Sequence, residues 1–256
     1  MKYAIVAPLL VMMMACGAAD PTAAKKKEPE KKEAVSYFQV DPATAGAVTG
    51  KIAYKGAKPA RKKLRIDEDP VCTKLNKNGL YDEAVVVNKN GTLANVFLHI
   101  KGGLEGKRFE VPKEPVVIDQ KGCRFGPRVM GVQVGQIIRV TNSDPLTHNI
   151  HPMPKNNREW NQSQGEGDPP LERKFVRSEV MVRVKCNVHS WMRAHIGAVE
   201  HPYFAVTGED GAFEIRNLPP GEYTLEAWHE KLGVQEQKFT VPPAGKSEAV
   251  FTFQGE

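Results

Sequence analysis

The stretch Cys186-Asn187-Val188-His189-Ser190-Trp191-Met192 places a thiolate, an imidazole and a thioether within one short loop. Such a loop can turn three side chains to one point but cannot surround an ion. A further donor has to come from a different strand, and His148, in Asn142-Ser143-Asp144-Pro145-Leu146-Thr147-His148-Asn149, stands just after a strand and turn. Two imidazoles with one thiolate and a weak axial thioether suit both Cu(I) and Cu(II). Zinc would normally take a closed Cys/His tetrahedron without a thioether. A binuclear copper site needs a second cysteine in the loop, and haem attachment needs two cysteines before the histidine. The residues therefore predict one copper ion on His148, Cys186, His189 and Met192. Met192 is the expected axial ligand and His195 its competitor. His151, His195 and His201 also lie near the motif, as second-metal candidates or as ordinary surface or core histidines. Trp191 is read equally as core packing or as part of an apolar docking face. Glu226 and His229 fit strand packing better than chemistry.

The elements that must position these donors are strands. Val48 to Tyr54, Leu93 to Ile100, Val116 to Ile118, Val129 to Val134, Ile137 to Thr141 and Val180 to Cys186 carry apolar or alternating patterns. The last of these places Val180, Val182 and Val184 on one face with Cys186. With 22 glycines and 19 prolines as punctuation, and no segment long enough for a substantial helix, the fold class is all-β, a sandwich or barrel. The polar linker Pro152 to Lys174 shows no clear strands. The last fifty residues form a meander with turns at Asp210-Gly211 and Pro219-Pro220-Gly221.

Two resemblances refine this. Residues 123 to 199 resemble a cupredoxin: "FGPRVMGVQVGQIIRVTNSDPLTHNI" is similar to the opening strands, and "VRVKCNVHSWMRAHIGAV" to the last strand, ligand loop and exit strand. The Cys-x₂-His-x₂-Met spacing is the short-loop version, similar to amicyanin. The resemblance implies a Greek-key sandwich with a type-1 copper site. It implies that Asn149 is the residue behind the ligands that ties the two ligand loops together, and that electrons pass through an exposed edge of His189. The string "TGEDGAFEIRNLPPGEYTLEAWHE", with "VTGKIAYKG" and "ANVFLHIKG" far upstream, resembles the prealbumin-like carboxypeptidase regulatory-like sandwich. The expected organisation is a cupredoxin domain at 116–199, packed with or inserted into a second small sandwich of 48–115 plus 200–256.

The N-terminus reads as a targeting segment. Lys2 precedes an apolar run from Ala4 to Ala15, too short to span a bilayer as a mature helix. Met13-Met14-Ala15-Cys16 resembles a bacterial lipobox, which implies a signal peptide over 1–16, lipidation of Cys16 and a periplasmic or cell-envelope location, at the outer membrane in a Gram-negative cell. Residues 17–47, rich in Ala, Pro, Lys and Glu, read as a flexible tether. Of the four cysteines, Cys72 and Cys123 remain after lipid and metal are assigned. In an oxidising compartment they are expected to pair. The formal charge of +6, from 36 basic and 30 acidic residues, shows no basic stripe of the kind nucleic acid requires.

These observations predict a one-electron carrier that meets a redox partner protein and touches the membrane only through its lipid. No acid–base pair or nucleophile surrounds the motif, so no enzymatic activity is expected. Copper storage or delivery is the alternative, and an envelope scaffold binding a partner or glycan is the third reading.

Overall fold

The computed structural model describes residues 36–255. The expected signal peptide, Cys16 and the tether as far as residue 35 lie outside the described residues. The tether was expected to run to residue 47, and here the structure differs. Phe38 N–H donates to the Arg108 carbonyl (2.6 Å), its ring meets Phe109 edge-on (5.8 Å), and Val40 packs on the core. Two aromatic and aliphatic side chains with a receptive groove are enough to order a segment whose composition is otherwise that of a linker.

The described chain is all-β apart from one short helix, Pro70–Leu75. Strands from its two ends pair with each other. Gly46–Lys55 lies between Ala212–Leu218, antiparallel, and Lys246–Gln254, parallel. A second sheet runs Phe204–Val206, Phe97–Gly102, Gly221–His229, Gly233–Val241. Period-two alternation builds both: Lys246–Gln254 buries Ala249, Phe251 and Phe253 and turns the intervening residues outward. Val48, Ile52, Leu98, Leu225 and Phe251 share one core.

The middle of the chain forms two further sheets around a separate core that includes Ile118, Val140, Ile150, Val182, Val184 and Ile196. One runs Phe125–Gly126, Val116–Gln120, Ile138–Asn142, Leu171–Arg173. The other runs Val129–Gln133, Arg193–Val199, Glu179–Lys185, His148–Met153, Gln162–Gln164. The stretch expected to lack strands thus contains Gln162–Gln164 and Leu171–Arg173. Each is three residues long, too short to display a period. Val180 does not join the inward face of Val182, Val184 and Cys186. The register shifts between Glu179 and Val182, and Val180 stays 36% exposed.

The two cores meet at Phe97, Val129 and Val199. Glycine is required there: a Cβ on Gly197 would lie 2.5 Å from the Phe97 ring, and one on Gly131 2.3 Å from Phe204.

His201 and His229 are buried and His195 is half-buried. Desolvation pushes His195, His201 and His229 down to about 4, with nearby arginines adding to the effect at His195 and His229. His229 also closes a turn, its Nδ1 accepting from Lys231 and Leu232 N–H. Folded values below the unfolded 6.5 mean that the unfolded chain binds protons first. Stability is therefore present above pH 6.5 and is lost as pH falls toward 4. Between pH 7 and 5 each histidine should contribute a loss of roughly 2 kcal/mol. Chemical denaturation at the two pH values should show the drop, reduced by about a third in His229→Asn; a flat profile would contradict it.

Candidate metal centre

Cys186 follows the strand Glu179–Lys185, and the chain returns as Arg193–Val199. Cys186 N–H donates to the Met192 carbonyl (3.1 Å) and Met192 N–H to the His189 carbonyl (2.9 Å). This closes the loop and brings Cys186, His189 and Met192 to its inner side. His148 opens the strand His148–Met153, which pairs with Glu179–Lys185 through His151 opposite Lys185. The first histidine is thereby delivered beside the cysteine.

The donor atoms of His148, Cys186 and His189 lie within 4.8 Å of one another, and all three residues are buried. The two Nδ1 atoms face each other at 2.9 Å, and Cys186 Sγ is 3.9 Å from His189 Nδ1. Met192, 1% exposed, packs in the same core as Cys186.

The residues behind this trio hold it in place. Asn149 Oδ1 accepts from the N–H groups of Asn187 (2.6 Å) and Val188 (3.4 Å) and from the Cys186 thiol (3.2 Å), so it ties the His148 strand to the ligand loop. Its amide donates to Asn161 Oδ1 at 2.6 Å. Each histidine has its outward nitrogen on a carboxylate: His148 Nε2 on Asp144 Oδ2 (2.9 Å) and His189 Nε2 on Asp69 Oδ2 (3.1 Å). The carboxylates are anchored in turn. Asp144 accepts from Gly122 and Cys123 N–H (2.6 and 2.7 Å), and Asp69 caps the helix Pro70–Leu75 by accepting from Val71 and Cys72 N–H (both 2.9 Å). Pro70 at the first helical position suits that cap. Cys72 and Cys123 are bonded to each other across a sequence separation of 51, as expected from the cysteine count. Trp191 Nε1 donates to the Cys123 carbonyl. One disulfide thus anchors the partners of both histidines.

This arrangement overturns one expectation. His189 has no exposed edge: it is 2% exposed, and Asp69 occupies its outward nitrogen. The helix that carries Asp69 is pinned over the site by Cys72.

Electrostatics fit a cation. Burial alone would raise the Cys186 thiol, but hydrogen bonds from His148 and from the backbone of Asn149, His189 and Val188 outweigh it and hold the group at about 6. Burial pushes His148 down, yet Asp144 and Cys186 together raise it to about 9. Both shifts favour passing the thiol's proton to the imidazole. An ion displacing that proton would find a thiolate and two imidazole Nδ1 atoms already oriented.

The other histidines lie elsewhere. His151 bonds Glu159 and Asn187. His195 packs on Trp228 with Glu230 3.5 Å from its Nδ1, and His201 Nε2 bonds the Ile100 carbonyl. Glu226 pairs with His99 and Lys101 inside the terminal sandwich. Trp191 is half-buried against the core, 5.1 Å from the His189 ring. Asp144 and Asp69 were not singled out from the sequence. Asp144 had a signal, sitting four residues before His148. Asp69 stands 120 residues from its histidine and had none beyond its nearness to Cys72.

No protein-family model matches the chain, and no curated protein does. Among solved structures, the chain is similar to a copper-containing nitrite reductase from Thermus scotoductus (18% identity, TM-score 0.33), with 39% of this chain covering 25% of that one. It is similar to a purple cupredoxin from Nitrosopumilus maritimus (20% identity, TM-score 0.28), with 32% of this chain covering 98% of that one. A Cu(I) amicyanin variant matches at 18% identity and a TM-score of 0.30, over 35% of this chain and 86% of its own. The chain spans a quarter of the reductase.

Removing Asp144 would strip the acceptor from two backbone N–H groups and from His148 Nε2. Asp144→Ala should cost about 3 kcal/mol of unfolding free energy. Urea titration of the metal-free protein checks this; a loss under about 1 kcal/mol would show that the carboxylate is dispensable.

Proposed function

We propose that the chain holds one copper ion in a type-1 site on His148, Cys186, His189 and Met192, and serves as a one-electron carrier. The observation that supports it most is the convergence of a low-lying thiol and two Nδ1 atoms whose rings are fixed by carboxylates on the opposite nitrogens. That donor set is soft enough for Cu(I) and accepts Cu(II). Copper supplies a one-electron couple when bound. The chain's part is to hold the donors in one geometry for both oxidation states and to keep water out of the site. Carboxylate-bound histidines are a familiar means of fixing ring orientation and raising ligand basicity. The Met192 thioether, buried in the same core as Cys186, is the weak axial donor.

The setting belongs to the same proposal. The segment 116–199 is a cupredoxin domain, and 48–115 with 200–256 is a carboxypeptidase regulatory-like sandwich around it. The chain is exported and lipid-anchored at Cys16, catalyses no reaction of its own, and meets a redox protein. Met13 to Cys16 and the Cys72–Cys123 bond support the exported location.

Copper storage or delivery is the second reading, and burial of both histidines favours it. Redox cycling separates the two: a carrier is reduced and reoxidised without losing its ion, whereas a delivery protein releases Cu(I) to a chelator once reduced.

Cu(II) titration should bind one equivalent and give intense visible charge-transfer absorption, absent in Cys186→Ser. A colourless 1:1 complex would contradict the thiolate ligation. Met192→Gln should retain copper and lower the reduction potential, since an oxygen donor favours Cu(II) relative to a thioether. An unchanged potential would remove Met192 from the site.

A further inference from the structure

A groove of about 360 Å³ opens beside the ligand loop. Ser190, Trp191 and Arg193 line it from the loop and the strand that follows. Lys62, Lys63 and Arg65 line it from the segment before the Asp69 helix, and Lys231 from the turn that His229 closes. These five cations are exposed and form no ion pair among the described residues. Arg128 and Glu230, also in the wall, satisfy each other through two hydrogen bonds of 2.9 and 3.0 Å, which leaves Asp82 as the remaining carboxylate. Arg128 approaches Asp82 no closer than 3.9 Å.

Cations gathered around a concave surface repel one another, and an acidic partner relieves that repulsion. Such a surface also speeds and orients encounter with a negatively charged protein. The position of the groove matters as much as its charge. His148 is fully buried, and His189 is closed by Asp69, so neither ring meets solvent. Trp191 both contacts His189, with ring centroids 5.1 Å apart, and lines the groove. Its indole N–H is fixed on the Cys123 carbonyl, so the ring is held in that position.

We propose that this groove is the docking surface for a redox partner with an acidic face, which approaches the site over Trp191 and not over His189. The partner's redox nature rests on the electron-carrier reading above; the docking itself does not. Lys62, Lys63 and Arg65 stand on the stretch that leads into Asp69 and the disulfide-pinned helix that closes His189. One stretch of chain therefore shuts the direct approach to the histidine and charges the surface beside it.

The test uses the full-length, metal-free protein and a polyglutamate peptide of about ten residues, long enough to span several of the cations. The Trp191 indole N–H, assigned by its loss in Trp191→Phe, is followed by NMR. It should shift on titration with polyglutamate and stay still with polylysine. Affinity should fall about tenfold in Lys62→Glu/Arg65→Glu, and again when salt is raised to about 0.2 M. Should the double variant fail to fold, Lys231→Glu, on a different segment, makes the same test. A stationary Trp191, a shift that survives charge reversal, or shifts confined to the exposed Val188 side of the loop would each overturn the proposal. Since no copper is present, these outcomes leave the copper reading standing, and a failure to bind copper would leave a positive docking result standing.

Discussion

Each of the two histidines at the centre of this protein has one nitrogen turned inward and the other bonded to a carboxylate, and the rest of the site depends on that division. An imidazole free to rotate could offer either nitrogen to an ion or none. Asp144 and Asp69 remove the freedom by accepting from Nε2, which leaves both Nδ1 atoms 2.9 Å apart beside Cys186 Sγ. The carboxylates are fixed by backbone N–H groups, and in each set one N–H belongs to a cysteine of the Cys72–Cys123 disulfide. In the chain-entropy account a bond closing about 50 residues stabilises by ~4 kcal/mol. Here it also fixes where two side-chain acceptors stand.

The sheets supply the remaining constraints. A hairpin-like return between Glu179–Lys185 and Arg193–Val199 presents Cys186, His189 and Met192 from one loop, while the neighbouring strand His148–Met153 brings the fourth residue from a distance. Asn149 joins the two by accepting from the loop backbone. The terminal sandwich touches this unit through Phe97, Val129 and Val199. It also contributes Lys231 and Glu230 to the groove beside Trp191, so the surface next to the site is assembled from both sandwiches.

What could be read in the sequence follows from distance along the chain. The all-β architecture was legible because long strands such as Lys246–Gln254 display their period, whereas Gln162–Gln164 is too short to do so. Cys186, His189 and Met192 were legible because their spacing is local. His148 was legible from the turn before it, and Cys72 with Cys123 from the cysteine count. The closure of His189 was not. It depends on a helix of six residues, Pro70–Leu75, whose cap meets a ring 120 positions away, and nothing in either segment names the other. The groove was invisible for the same reason: its cations come from three separate stretches, and the overall charge of +6 does not reveal that they converge. Residues 36–47 looked like a tether because their composition is that of one, yet Phe38 and Val40 find partners that only the folded chain provides.

A thiolate, two preset imidazoles and a buried thioether, closed from solvent by a pinned segment, are suited to holding copper in either oxidation state with little rearrangement. With Nε2 of each ring held by a carboxylate, Nδ1 is the nitrogen left on both rings to ligate an ion. A crystal structure of the copper-loaded protein tests it most directly. One ion is expected on His148 Nδ1, His189 Nδ1 and Cys186 Sγ, with Asp144 and Asp69 still on the two Nε2 atoms. An ion held through Nε2 of either ring, or taken by Asp144 or Asp69 in place of a histidine, would contradict it.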